Sequence, residues 1–273
     1  MTLIEVDPGF GSLLDKVERV RGFACASYKH SCLHRRIKTR MRARQAATCE
    51  AYMAVLDRDS REMDKLIAAL TINVTRFFRN QAVWEAIADT VVPRTWASEA
   101  NDIRVWSAGC ASGEEALSMA ILFHRHAAVN GMLGQIDRVS VTGTDVDAVV
   151  LGEASEGAYS EADLEEVPRD LRTRYFSESS PFRPAAAVRR LVKYVEHDLL
   201  TDEVPREVNQ IVICRNVLIY FERNVQEQVL GRLQDSLESC GYLILGKVES
   251  LLGATRRGFE PVAQRERIFR KIS

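Results

Sequence analysis

The stretch Ile103-Arg-Val-Trp-Ser-Ala-Gly-Cys-Ala-Ser-Gly-Glu-Glu115 decides how the rest of the chain is read. An apolar run climbs to Gly109, small residues turn at Gly113, and Leu117, Ala120, Ile121 and His124 recur at helical spacing. Strand, glycine turn and helix therefore follow one another. Such a turn lets a ligand approach the backbone closely, at the place where a parallel sheet opens a crevice along its carboxyl edge. The stretch lacks the full G-x-G-x-x-G spacing, so on its own it also fits an ordinary strand-to-helix turn. Ser112-Gly-Glu-Glu115 reads as a capping box, with Ser112 as N-cap and Glu115 folding back onto its amide. A ligand-facing Glu115 is the alternative, because this helix end faces the crevice.

Working outward, apolar runs at Ile103–Ala108, Val139–Thr144, Gln210–Cys214 and Tyr242–Leu245 read as strands, with helices at 114–128, 147–155 and 224–239. A helix is also expected around Trp84 to Trp96. This alternation predicts an α/β fold with a parallel, doubly wound sheet. Phe259–Val262 and Arg265–Ile272 read as a closing antiparallel hairpin at its edge. The second strand ends in Gly143-Thr-Asp145, which puts an acid where it can accept hydrogen bonds from both hydroxyls of a ribose. Asp147 is the better N-cap for the helix that follows. The turn and Asp145 together favour a nucleoside-bearing cofactor. Arg215, Asn216 and Tyr220 follow a wholly apolar strand and are binding candidates by position. Three of the seven prolines (168, 181 and 184) fall between 156 and about 192, which predicts an inserted lobe.

Residues 1 to about 80 read as helical, with apolar stripes at Phe10, Leu13, Leu14 and Val17 and at Met63, Leu66, Ile67 and Leu70. Between them lies a basic run from Lys29 to Arg44. Leu33, Ile37 and Met41 fall four apart and form its seam, while Arg35, Arg36, Lys38, Arg40, Arg42 and Arg44 crowd the other faces. No acids interleave with these arginines, which points to an acidic partner, although a solvated helix face is the plainer reading. Thr71-Ile-Asn-Val-Thr-Arg-Phe-Phe-Arg79 reads as a capped helix end followed by a buried Phe-Phe anchor. Spacing alone does not make Asn73, Thr75 and Arg79 a site.

The chain has 273 residues, a formal net charge of −1 and 46% hydrophobic residues, enough for one large and one smaller domain of a globular protein. No apolar run reaches the roughly 18 residues needed to span a bilayer. The N-terminal residues lack a basic-then-apolar leader, so a cytoplasmic location is expected. Six scattered cysteines with no Cys-x-x-Cys pair argue for reduced thiols and against a zinc site, and no metal is expected.

Several blocks carry a family resemblance. Leu-Thr-Ile-Asn-Val-Thr-Arg-Phe-Phe-Arg79, Val-Trp-Ser-Ala-Gly-Cys-Ala-Ser-Gly-Glu-Glu115, His197-Asp-Leu-Leu and Cys214-Arg-Asn-Val-Leu-Ile-Tyr-Phe221 resemble the signature blocks of chemotaxis receptor glutamate O-methyltransferases of the CheR type. Tyr28-Lys-His-Ser and Arg35-Arg-Ile resemble that family's N-terminal helix. The resemblance runs from about Phe10 to Ile272. It implies an S-adenosylmethionine-dependent methyltransferase domain at 81–273, a helical substrate-recognition domain at 1–80, and a small β lobe inserted at about 156–192.

By position the resemblance also implies that Asn73, Thr75, Arg79, Glu115, Asp145, Asp198, Leu199, Arg215 and Asn216 contact the cofactor. Tyr220 would stand beside the methyl-transfer point with Arg79, and Arg36 and Arg42 would face the substrate. The implied partner is the cytoplasmic helical part of methyl-accepting receptors, met by a monomer with neither nucleic acid nor membrane insertion. Two departures stand out. Gly246-Lys-Val-Glu-Ser250 replaces a Gly-x-Ser-Glu-Ser block, and Asp198 stands where some members carry asparagine.

A glutamate carboxylate, with an ordinary pKa of about 4.3, is ionised at neutral pH and needs no general base to attack a sulfonium methyl. The motifs hold no obvious His-Asp or paired-carboxylate catalytic apparatus, in keeping with catalysis by positioning. One rival is a nucleic-acid methyltransferase that uses the basic helix as a phosphate clamp. It lacks an Asp/Asn-Pro-Pro-Tyr motif, and aromatics are sparse beside the arginines. The other rival is a non-catalytic cofactor-binding module, against which Arg79 and Tyr220 count.

Overall fold

The computed structural model describes residues 9–71, 73–98, 100–203 and 208–272. The N-terminal residues read above for a leader lie outside these. Two compact units form. One comprises the chain up to Asn73 together with Tyr220–Arg223; the other comprises Val74–Ile219 and the residues from Asn224 onward.

The first unit holds α1 (Phe10–Arg21), α2 (His30–Ala43), α3 (Cys49–Arg58) and α4 (Ser60–Thr71). α1 ends where Gly22 takes φ 67° and its N–H bonds the Glu18 carbonyl, a conformation that glycine adopts without a Cβ penalty. α3 starts at Thr48, whose hydroxyl accepts from the Ala51 amide. The expected stripes face one core in which Phe10, Leu13 and Val17 meet Leu33, Ile37 and Met41, Tyr52, Leu66 and Leu70. Truncating such a buried leucine to alanine costs about 2–5 kcal/mol. The short segment Tyr220–Arg223 belongs to this unit through its backbone. The Lys29 amide donates to the Tyr220 carbonyl at 2.8 Å and the Glu222 amide to the Ser27 carbonyl at 3.0 Å.

The second unit opens with α5 (Gln81–Ala86), a π-turn at Ile87–Val91 and α6 (Val92–Trp96). Its strands are β1 (Ile103–Ala108), β2 (Val139–Asp145), β3 (Val192–Glu196), β4 (Asn209–Cys214), β5 (Leu237–Leu245), β6 (Phe259–Ala263) and β7 (Ile268–Lys271). They form one sheet in the order β3-β2-β1-β4-β5-β7-β6. The first five are mutually parallel and the last two close the sheet as an antiparallel hairpin. The connecting helices are α7 (Glu114–Val129), α8 (Ala148–Glu156), α9 (Arg169–Tyr175), α10 (Ala186–Arg189) and α11 (Arg223–Asp235). β1 and β4 are buried along almost their whole length, as both faces of a parallel sheet require. The strand order reverses between β1 and β4, so the carboxyl ends of these two strands flank the crevice where such sheets bind ligands.

Three expectations change. β3 was not among the predicted strands, because it is an outer strand of the sheet and carries no continuous apolar run. β5 begins five residues earlier than expected, and α11 ends at Asp235, because Leu237-Glu-Ser-Cys-Gly shows no strand periodicity. The stretch 156–191 holds no strand among the described residues, so the expected β lobe is not what it folds into. It forms the short helices α9 and α10, a 3-10 turn at Ala162–Leu164, and isolated bridges Tyr159↔Phe182 and Phe176↔Pro184. Nor does it stand apart. Tyr159, Leu164, Leu171, Tyr175 and Val188 join the core of the sheet, because these apolar side chains are buried only by packing on it.

Candidate functional site

The site grows out of the carboxyl edge of the parallel strands. After β1 the chain turns at Gly109 (φ 77°) and Gly113 (φ 91°). A Cβ on Gly109 would lie 2.5 Å from a Val217 methyl, and one on Gly113 would lie 2.4 Å from the Tyr194 hydroxyl. Both positions therefore require glycine on two grounds, backbone conformation and space. The Gly109 and Cys110 amides both donate to the Thr144 carbonyl at 2.8 Å, which ties the turn to the end of β2.

Asp145, the last residue of β2, lies under this turn. Its Oδ2 accepts from the Ala111 amide at 2.9 Å and its Oδ1 from the Asp147 amide at 3.1 Å. Burial pushes its pKa up, and the two amides pull it back. Asp147 caps α8 as expected, accepting from the Val149 amide at 3.0 Å.

The capping box is not formed. Gly113 is the N-cap of α7, and its positive φ turns the Ser112 side chain away from the helix amides. The Ser112 hydroxyl instead donates to both oxygens of Glu114. Glu114 is almost completely buried, and burial raises its pKa to about 7, with Asp163 and Glu153 adding to the rise. Glu115 turns toward the sheet. It accepts from the Ser107 hydroxyl at 3.0 Å and pairs with the Arg215 guanidinium at 3.4 Å. Burial raises the Glu115 pKa, while Arg215 and Ser107 oppose the rise.

Arg215 leaves the end of β4 and is the hub of the cluster. Its guanidinium also donates to the Arg79 carbonyl at 2.8 Å and to Asn80 Oδ1 at 3.2 Å, and it lies over the Trp84 ring. Its Nε is buried without a hydrogen-bond partner. Arg79 turns its own guanidinium onto the Val74 carbonyl at 3.0 Å. Phe77 and Phe78, which separate Thr75 from Arg79, are buried as the sequence predicts. Asn216 follows Arg215 with φ 62°, a left-handed conformation that asparagine tolerates better than most residues.

The other candidates are placed as follows. Asp198, just after β3, accepts from the Leu200 amide at 2.8 Å, and Leu199 is buried beside it. Thr75 is half-buried. Asn73 and Tyr220 belong to the first unit, where Asn73 donates to the Thr71 hydroxyl. Glu115, Arg215, Arg79 and Asn216 are thus brought together directly or through neighbours, with Asp145 joined to the turn that precedes Glu115. Ser107, Asn80, Glu114 and Glu249 belong to the same surroundings, but sequence spacing did not single them out. A buried polar residue inside an apolar strand, such as Ser107, is the one signal that marks such a position beforehand.

In the first unit the basic helix is sorted by the helices packed against it. Arg40 forks onto Glu62, with Nε and Nη2 donating at 2.9 and 2.6 Å, and Tyr52 donates to the same carboxylate at 2.8 Å. Arg44 reaches Asp59 at 3.0 Å and Glu62 at 3.7 Å. The acids missing from the run itself are therefore supplied from its flank. Among the described residues, no ion pair involves Arg35, Arg36, Lys38 or Arg42. Arg35, Lys38 and Arg42 share the exposed face of α2, opposite Leu33, Ile37 and Met41.

Two family descriptions cover this chain. The all-alpha domain of the CheR methyltransferases matches residues 8–71, and their SAM-binding domain matches residues 73–268. The chain is 30% identical over 243 residues to a chemotaxis protein methyltransferase of Listeria innocua, covering 89% of this chain and 90% of that one. It is 29% identical over 254 residues to chemotaxis protein methyltransferase 2 of Pseudomonas aeruginosa (90% and 88%), and 33% identical over 199 residues to chemotaxis protein methyltransferase 1 of Vibrio cholerae (72% and 71%). With a glycine turn at the switch point of a doubly wound sheet and an all-helical N-terminal unit, the chain belongs to the CheR family of S-adenosylmethionine-dependent methyltransferases.

Proposed function

We propose that this protein transfers a methyl group from S-adenosylmethionine to glutamate side-chain carboxylates of methyl-accepting chemotaxis receptors, forming methyl esters. The relatives' names support a chemotaxis substrate. The observation that carries the acceptor class is the outer face of α2, where Arg35, Lys38 and Arg42, with Arg36 at their flank, have no ion-pair partner among the described residues. A receptor helix bearing several glutamates has the complementary charge. On this reading the first unit recognises the substrate, Arg36 and Arg42 face it, and the protein acts as a cytoplasmic monomer. Among the described residues, no helix is long and apolar enough to cross a membrane.

The residues of the carboxyl edge fit the cofactor. Asp145 spends one lone pair of each oxygen on the Ala111 and Asp147 amides, which leaves acceptor capacity for a pair of ribose hydroxyls. Arg215 has a buried Nε with no hydrogen-bond partner, and Gly109 and Gly113 let the turn take its positive-φ path packed against Val217 and Tyr194. When bound, S-adenosylmethionine supplies a methyl group on a sulfonium. Asn73, Thr75, Arg79, Glu115, Asp145, Asp198, Leu199, Arg215 and Asn216 would hold the cofactor. Arg79 and Tyr220 would orient the acceptor carboxylate, which is already ionised at neutral pH. Catalysis is then positioning, with no proton to remove.

The test is to incubate the protein with S-adenosylmethionine labelled in the methyl group and with receptor-bearing membranes, then treat the labelled acceptor with mild alkali. Release of labelled methanol is expected for a carboxyl ester. Alkali-stable label would reject the glutamate assignment in favour of an amine or nucleobase acceptor.

A further inference from the structure

Four residues beyond the end of β5, Glu249 is buried to 4% exposure and directs its carboxylate back into the sheet edge. Oε2 accepts from the Gly246 amide at 2.6 Å and from the Asn216 amide at 3.0 Å, and Oε1 accepts from the Ile219 amide at 3.3 Å. The turn that carries it is closed by its own amide, which donates to the Gly246 carbonyl at 2.9 Å. One carboxylate thus links the loop after β5 to the loop after β4, the loop that holds Arg215 and Asn216. An ionised carboxylate is an acceptor on every lone pair, which suits a ring of amide donors in a way that an amide side chain does not.

The contact is interlocked sterically as well. A Cβ on Gly246 would lie 2.6 Å from Glu249 Oε2 and 2.8 Å from the Asn216 nitrogen, so residue 246 has to be glycine for the carboxylate to reach both amides. Asn216 is held at φ 62°, a conformation that costs a non-glycine residue energy and persists where its surroundings impose it. The amide that receives the carboxylate belongs to this same residue. In Gly246-Lys-Val-Glu-Ser250, the departure from the Gly-x-Ser-Glu-Ser block falls on the exposed Val248 and leaves the inward-facing Glu249 in place.

We propose that Glu249 is a positioning residue, whose carboxylate gathers the Gly246, Asn216 and Ile219 amides and so sets the Arg215–Asn216 loop in its cofactor-binding form. This rests on the reading of the carboxyl edge as the S-adenosylmethionine site. Among the described residues no hydrogen bond or ion pair joins Glu249 to Arg215; Glu249 acts through the backbone of the loop.

The test uses the full chain with Glu249→Gln, Glu249→Asp and, as a control, Leu230→Ala, which opens a cavity on the buried face of α11, outside the loops after β4 and β5 in sequence. S-adenosylhomocysteine affinity is measured by calorimetry, Tm by scanning calorimetry, and the Asn216 and Ile219 amide signals by NMR. Glu249→Gln is expected to shift both amide signals and weaken binding by about tenfold or more. Leu230→Ala should lower Tm and leave the affinity of the folded protein within about twofold. Glu249→Asp, one methylene short, should fall with Glu249→Gln. Unchanged affinity in a folded Glu249→Gln protein would overturn the proposal, as would an affinity loss in Leu230→Ala that matches its loss of Tm. If the wild-type chain itself fails to bind S-adenosylhomocysteine, it is the site reading that falls, a result the variants do not produce.

Discussion

Arg215 and Glu115 form an ion pair at 3.4 Å in which the side chains are 2% and 11% exposed, joining the end of β4 to the first turn of α7. The two ends flank the point where strand order reverses. Little water reaches the pair, so removing one partner strands the other. Arg215→Ala should destabilise the protein by about 3–5 kcal/mol. The deficit has a pH sign. Burial already raises the Glu115 pKa, and loss of Arg215 raises it further. A carboxyl with a raised folded-state pKa favours folding below its unfolded value near 4.3 and loses that contribution as pH rises. The Arg215→Ala deficit should therefore be smallest in acid and grow toward neutrality, and Glu115→Gln in the same background should recover part of it. Urea midpoints between pH 4 and 8 test this.

Glu114 gives a cleaner titration. Its pKa of about 7 lies well above the ordinary carboxylate value, chiefly through burial. Its contribution to stability is complete below pH 4 and is lost as pH climbs through 7. Glu114→Gln keeps an acceptor for Ser112 and removes the titration. It should be the more stable protein at pH 8, by up to about 3 kcal/mol, and match wild type near pH 4. A constant difference across that range would mean that Glu114 does not titrate in the native state.

Asp145→Ala removes the acceptor of the Ala111 and Asp147 amides as well as the group proposed to hold the ribose. Each hydrogen bond to a charged group is worth roughly 1.5–3 kcal/mol. S-adenosylmethionine should bind about tenfold or more weakly to a protein that remains folded. Calorimetry giving an unchanged Kd would take Asp145 out of the site.

The arginines of α2 should separate into two classes. Arg40→Ala leaves Glu62, which has no exposed side-chain surface, with only the longer Arg44 contact at 3.7 Å in place of the forked guanidinium, and should destabilise the first unit by about 3 kcal/mol. Arg36→Ala with Arg42→Ala removes cations that have no ion-pair partner among the described residues. It should leave Tm within about a degree or two, reduce receptor methylation severalfold, and leave cofactor affinity unchanged. Equal losses of methylation and cofactor affinity would place these two arginines in the fold and not at the substrate.

Arg79→Ala and Tyr220→Phe address the chemical step. Each should lower the rate of ester formation by about tenfold or more, with a smaller effect on cofactor affinity, if their part is to orient the acceptor. Single-turnover methylation at saturating cofactor measures this directly, and an unchanged rate would assign them to binding alone.

What the sequence determined by itself was whatever depends on local periodicity and chain order. The four inner parallel strands, the glycine turn after β1, the Asp147 cap, the buried seam of Leu33, Ile37 and Met41, and the closing hairpin all follow from spacing that local sterics and burial impose. Asp145 could be named because the end of a strand beside a glycine turn is a defined place in a doubly wound sheet. Only tertiary structure decided the partners. Glu115 sits three residues from Ser112, as a capping box requires, yet the positive φ of Gly113 and the approach of Arg215, 100 positions away, turn it toward the sheet. Arg40 and Arg36 look alike within one basic run, and Glu62 from another helix separates them. β3 and the 156–191 segment were misread because their order comes from packing on the sheet and not from a period of their own. Glu249 stands in a block that the sequence marks only as a departure, because the role of a buried carboxylate is legible only when the amides from two distant loops that solvate it can be seen.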